Sequence, residues 1–321
     1  MRSDLNAYFY RSLTRNIITN QGITTMNKLI TAIAMTSILV LTQACSEVAT
    51  ISNAEVPKPI VKDHHGDHAN TNKHGEASHD DKKTSVDKIN IAKAKLTTPL
   101  NMLPNTTVPL LIDVQNLNGT AIEKFEVFQE KLMHLIVVSD DLQFFEHLHP
   151  SYQHNGRFKV SANFPQAGKY TLFSDYKPAQ SPEQISVLKT QVGGEIPSAT
   201  PINFDHTKTF GTAQINLTSS QDHIKAGEKV TLTFDLKDPI TNQPLTDVQT
   251  YLGEKGHLVI IKKSTPLTAS DYIHAHALAD DSTGKVTFAT KFPKSGEYKL
   301  WGQFNRNGKI VTADFGIHVR D

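Results

Sequence analysis

One cysteine, Cys45, is all that the 321 residues contain, so the chain cannot form a disulfide within itself. With Cys45 set aside, cysteine zinc sites, the cysteine-containing blue-copper site and cysteine nucleophiles are all excluded. Aromatic residues are sparse at 7%, and no apolar run reaches the about 20 residues of a membrane-spanning helix. Charge of one sign is lacking too. The chain has 33 basic and 32 acidic residues; residues 1–45 hold four of the former and one of the latter, leaving 29 against 31, a net of −2. That balance offers no footprint for nucleic acid. Gly-x-Ser-x-Gly, His-Glu-x-x-His, phosphate-binding glycine loops and dinucleotide fingerprints are all missing. The expectation is a protein that is not an enzyme.

What is present begins with an apolar run, Leu29–Leu41, preceded by Lys28 and followed by Thr42-Gln43-Ala44-Cys45. Its length suits the core of a secretory signal. The cysteine that follows gives it the look of a bacterial lipoprotein signal, with Cys45 lipidated as the mature N-terminus, although Thr42 stands where leucine is usual. Met26-Asn27-Lys28 is a credible start, which would make residues 1–25 an upstream extension. The alternative is an ordinary cleaved signal with a spare cysteine. Residues 46–88 are polar and low in complexity, and contain His64, His65, His68, His74 and His79. Such a stretch buries too little apolar surface to offset its ordering entropy, and reads as a disordered tether. Its histidines are auxiliary metal ligands or simply a solvated linker.

From about Ile89 the pattern is of short strands separated by turn residues, and it occurs twice. Val108–Val114 matches Val230–Leu236, with Asp113 and Asp235 at the same place. Phe164-Pro-x-x-Gly-x-Tyr-x-Leu-Phe173 matches Phe292-Pro-x-x-Gly-x-Tyr-x-Leu-Trp301. Asn155-Gly156 and Gly284 mark reversals, and Gly193-Gly194 a boundary. The chain therefore divides into 1–45, 46–88, a first module at 89–194 and a second at 195–321. The expected fold is all-β, two tandem immunoglobulin-like β-sandwiches, with Gly-x-Tyr-x-Leu as a tyrosine corner. Phe164, Phe173, Phe292 and Trp301 are expected in the cores.

Each module also carries a histidine set. His134 opens Leu135–Val138 and is followed by His147 and His149; His257 opens Leu258–Ile261 and is followed by His274 and His276. Residues two apart on a strand share a face, and a neighbouring strand brings a third imidazole within about 5 Å. Three convergent imidazoles suit copper or zinc. Met133, Glu146 and Asp271 are auxiliary candidates, as thioether or carboxylate ligands or as acceptors that orient a ring. The competing expectation is a structural network in which the histidines brace loops. His154, His206, His223 and His318 have no repeat partner.

Together, Leu245–His276, Met133–Pro150 and the two Phe-Pro steps resemble uncharacterised secreted bacterial two-module proteins labelled heavy-metal-associated or copper-related, among them relatives of YtkA-like domains. The resemblance covers about residues 105–320. It implies an extracytoplasmic immunoglobulin-like tandem that handles metal. The leading expectation is thus an envelope-anchored lipoprotein that binds, buffers or delivers copper or zinc. Its partners would be a metal ion, the membrane through Cys45, and an envelope metalloprotein or exporter. The alternative is a non-enzymatic structural or protein-interaction lipoprotein.

Overall fold

The computed structural model describes residues 91–278 and 284–321. Cys45, the signal region and the five tether histidines lie outside the described residues. Among these, no helix is long and apolar enough to cross a membrane.

The first module has eight strands: β1 (Ala92–Thr97), β2 (Thr107–Asn116), β3 (Met133–Ser139), β4 (Phe145–Leu148), β5 (Ser151–Tyr152), β6 (Arg157–Asn163), β7 (Gly168–Tyr176) and β8 (Gln184–Val192). They form two antiparallel sheets, ordered β1-β2-β6-β5 and β4-β3-β7-β8. This is the A-B-E-D and C′-C-F-G arrangement of an immunoglobulin-like sandwich. Strict alternation builds the first sheet: Val108, Leu110, Ile112 and Val114 of β2 are buried while the residues between them are less so, as a half-covered antiparallel sheet requires. Gly156 turns the chain into β6 at φ +71°, where a Cβ would meet the Val114 carbonyl at 2.5 Å.

The second module repeats the plan with β9 (Thr207–Phe210), β10 (Ala213–Ser219), β11 (Lys229–Lys237), β12 (Val248–Gln249), β13 (His257–Lys262), β14 (Tyr272–His276), β15 (Lys285–Lys291), β16 (Gly296–Arg306) and β17 (Lys309–Val319). One sheet is β15-β11-β10-β9, and in the other β16 pairs with β12, β13 and β17 while β14 flanks β13. Both tyrosine corners are present. Tyr170 donates its hydroxyl to the Gln166 carbonyl at 2.8 Å, and Tyr298 to the Lys294 carbonyl at 2.7 Å.

Three apolar clusters hold the described residues together. Two are the module cores. The third lies between the modules and joins Ile136, Val138, Leu142 and Phe173 of the first to Val259, Ile261, Leu267, Tyr272 and Trp301 of the second. It exists because β3 and β13 are buried on both faces. Along β3, Met133, Leu135 and Val137 enter the first module's core, whereas Ile136 and Val138 enter the seam. Phe164 and Phe292 are core residues as expected. Phe173 and Trp301 are not: the parity set by the tyrosine corner sends both to the outer face, into the seam.

That seam is reciprocal. Phe145 of β4 stacks on Trp301 of β16 at 4.9 Å and 14°, and its counterpart Tyr272 of β14 stacks on Phe173 of β7 at 5.0 Å and 16°. Each module thus presents the same sheet to the other, in the manner of a self-complementary interface.

Candidate functional site

The histidines continue this seam. Register pairs Ile136 with His147 across β3 and β4, so His134, two residues before Ile136, points to the same face as His147. In the second module Val259 pairs with His274, and His257 shares that face. The expectation was of a separate histidine set on each module. Instead the two sets meet, because the faces that carry them are packed together. The His134 and His257 rings stack with centroids 6.1 Å apart and 25° between planes. His134 is 5.9 Å from His274, and His147 is 5.8 Å from His257.

The first set converges most closely. One ligand atom from each of His134, His147 and His149 lies within 4.8 Å of the other two. His134 is fully buried. Its Nε2 faces the Phe128 carbonyl at 3.2 Å, and its Nδ1 faces His147 Nε2 at 3.0 Å. His147 Nδ1 in turn meets Gln303 Oε1, from the other module, at 2.7 Å. The Nε2 of His149 is buried and makes no hydrogen bond.

The Phe128 carbonyl can only accept, so His134 carries its proton on Nε2. With Gln303 presenting Oε1, His147 carries its proton on Nδ1. Two bare lone pairs, His134 Nδ1 and His147 Nε2, are then left facing each other. Neutral imidazoles with both lone pairs inward repel unless a cation lies between them. Two nitrogens bound at about 2.0 Å to a tetrahedral ion stand roughly 3.3 Å apart, close to the separation seen. The donor set fits copper or zinc.

Burial keeps the rings neutral. Desolvation, aided by neighbouring imidazoles, pulls His134 down to about 4, His257 to about 3 and His274 to about 4, and holds His147 well below its ordinary value. His149 is lowered to about 4, first by desolvation and then by His134 and Lys131. A neutral imidazole is the ligating form.

The second set is built differently. His257 Nδ1 meets His274 Nε2 at 3.1 Å, and His274 Nδ1 lies 3.5 Å from Asp175 Oδ2 of the first module. His274 and Asp175 are thus the counterparts of His147 and Gln303, with a carboxylate where the other half has an amide. His276, 57% exposed, sits between Glu254 at 3.1 Å and the Gln129 amide at 2.7 Å.

Three auxiliary candidates are corrected. Met133 lies on the opposite face of β3 from His134, in the core, where its sulfur takes the Ser174 hydroxyl at 3.3 Å. Glu146 pairs with Val137, so it too faces away from His147; burial raises its carboxyl. Asp271 is occupied by Thr268, accepting from its backbone N–H at 2.8 Å and its hydroxyl at 2.7 Å. Conversely, Gln303 and Asp175 were missed. Both sit two residues after a misplaced aromatic, in Phe173-x-Asp175 and Trp301-x-Gln303, and the same parity could have found them.

Residues 85–192 match the family DUF8832, a domain of unknown function, and residues 208–321 match it again. The chain belongs to that family. The double match bears out the two-module reading, while nothing in it carries the heavy-metal or YtkA-like label. No curated protein matches the sequence. Among solved structures the chain is similar to the Escherichia coli adhesin FdeC, at 12% identity, 72% of this chain, 65% of that one and a TM-score of 0.23. It is also similar to invasin, described as a bacterial integrin-binding protein, at 12% identity, 70% of this chain, 39% of that one and a TM-score of 0.21. A third similarity is to a protein of Corynebacterium diphtheriae described as membrane anchored, at 11% identity, 71% of this chain, 59% of that one and a TM-score of 0.23. The chain spans less than two thirds of each of these proteins. Such likeness concerns fold class alone. No comparison shows metal binding.

Proposed function

We propose that this chain is a non-enzymatic envelope protein that holds a copper or zinc ion at the seam between its modules, through His134, His147 and His149. One observation carries the reading: His134 Nδ1 and His147 Nε2 face each other at 3.0 Å while His134 Nε2 meets the Phe128 carbonyl and His147 Nδ1 meets Gln303 Oε1. The Nε2 of His149 is buried without a hydrogen bond, and supplies a third lone pair when that ring carries its proton on Nδ1. Lipidation at Cys45 would anchor the protein to a membrane, and an envelope metalloprotein or exporter would receive or supply the ion.

Calorimetric titration of zinc(II) or copper(II) into the full chain and into a His147→Ala, His149→Ala variant tests it. The difference between the two counts the seam ion separately from any ions held by His64–His79. A loss of one equivalent is expected. Unchanged stoichiometry and affinity would sink the reading.

A second reading has its own observation. With the Gln303 amide reversed, its N–H₂ donates to His147 Nδ1, His147 Nε2–H donates to His134 Nδ1, and His134 Nε2–H donates to Phe128. That chain closes without an ion. The histidines then brace a structural or protein-interaction module, and the same replacements lower the melting temperature with no dependence on metal.

A further inference from the structure

The reciprocal half of the seam holds a cluster that the histidine reading does not use. Asp175 of β7, Glu183 at the end of the β7–β8 loop, and His274 of β14 each place one ligand atom within 4.8 Å of the other two. Asp175 is fully buried and the His274 side chain is only 6% exposed. Glu183 is part-exposed and opens the cluster towards solvent. Tyr272 donates its hydroxyl to Asp175 Oδ2 at 3.3 Å, which fixes the carboxylate as an acceptor at that position.

We infer that Asp175, Glu183 and His274 form a second cation site, distinct from the three-histidine centre and taking a divalent ion of the zinc(II) or manganese(II) class. Their ligand atoms converge from two modules on one point, where a divalent ion would draw both carboxylates and the imidazole together. The imidazole beside them can offer a lone pair: when His274 Nε2–H donates to His257 Nδ1, its Nδ1 is bare and faces Asp175. Two oxygens and one nitrogen make a harder donor set than three imidazoles, which favours zinc or manganese over copper(I). Asp175 and Glu183 come from the first module and His274 from the second, so an ion here ties the modules together. The Asp175-for-Gln303 difference makes one reciprocal half suited to this ion and the other to the all-histidine centre.

The inference does not require the histidine centre to bind metal, and manganese(II) separates the two. Electron paramagnetic resonance follows the free manganese(II) signal as the ion is titrated into the full chain. One equivalent is expected to bind, to be retained in His149→Ala, and to lose at least tenfold in affinity in Glu183→Gln. Glu183→Asp, which keeps the charge but shortens the arm, is expected to weaken binding as well, and guards against a folding defect in the first variant. No uptake by the wild-type chain, or uptake unchanged in both Glu183 variants, would overturn the inference. Uptake lost equally in His149→Ala would also overturn it, by showing a single merged centre.

Discussion

His147 of the first module and Gln303 of the second meet across the seam at 2.7 Å. When Gln303 presents Oε1, that contact takes the His147 Nδ1 proton and turns Nε2 towards His134 as a lone pair. A residue outside the histidine set thereby prepares a ligand. Replacing Gln303 by Leu leaves all three candidate ligands in place but removes their orientation. Loss of such a supporting contact lowers metal affinity about 10–100-fold. Zinc titration of Gln303→Leu is expected to show a drop in that range; a brace without metal would show only a modest stability loss, of about 1 kcal/mol for a hydrogen bond.

The seam aromatics should govern how firmly the modules stay together. Trp301 is 3% exposed and stacks on Phe145. Its replacement by Ala is expected to cost about 3–5 kcal/mol, as for other large buried side chains. Urea unfolding followed by circular dichroism checks the size. If the modules come apart before they unfold, two transitions will replace one.

Acid should weaken the metal-free protein. His134, His257 and His274 are held at about 4, 3 and 4 in the folded chain by burial, against about 6.5 when unfolded. Between those values the unfolded state binds more protons, so stability rises with pH in that window. It is therefore fully present above about pH 6.5 and is lost as pH falls towards 4. Urea midpoints at pH 7.5, 5.5 and 4.5 in the presence of chelator are expected to fall in that order. A His274→Gln variant should show a shallower decline.

The tyrosine corners offer a check on the fold itself. Tyr298→Phe removes only the hydroxyl that reaches the Lys294 carbonyl at 2.7 Å. The expected loss is about 0.5–1.5 kcal/mol, read as a lower thermal midpoint with metal stoichiometry unchanged.

Much of the fold could be read from the residues alone. Alternation in Val108–Val114, the repeated Phe-Pro-x-x-Gly-x-Tyr step and the turn at Gly156 each act locally, so each left a local pattern. The convergence of His134, His147 and His149 followed from strand parity and pairing, which are also local. The meeting of the two modules did not, since it depends on which outer faces are apolar. That information was present in Phe173 and Trp301, which tyrosine parity excludes from the cores, but reading them as core residues hid the seam. With the seam hidden, Gln303 and Asp175 had no apparent neighbours. Met133 and Glu146 were misjudged for the opposite reason: adjacency in sequence to a ligand means the opposite face on a strand.

Anomalous diffraction at the zinc edge, from crystals of the zinc-loaded protein, tests the central claim most directly. The expected result is a peak between the modules bonded to His134 Nδ1, His147 Nε2 and a nitrogen of His149, at about 2.0–2.1 Å. A seam without a peak, with His147 still hydrogen-bonded to His134 and Gln303 turned to donate, would contradict it.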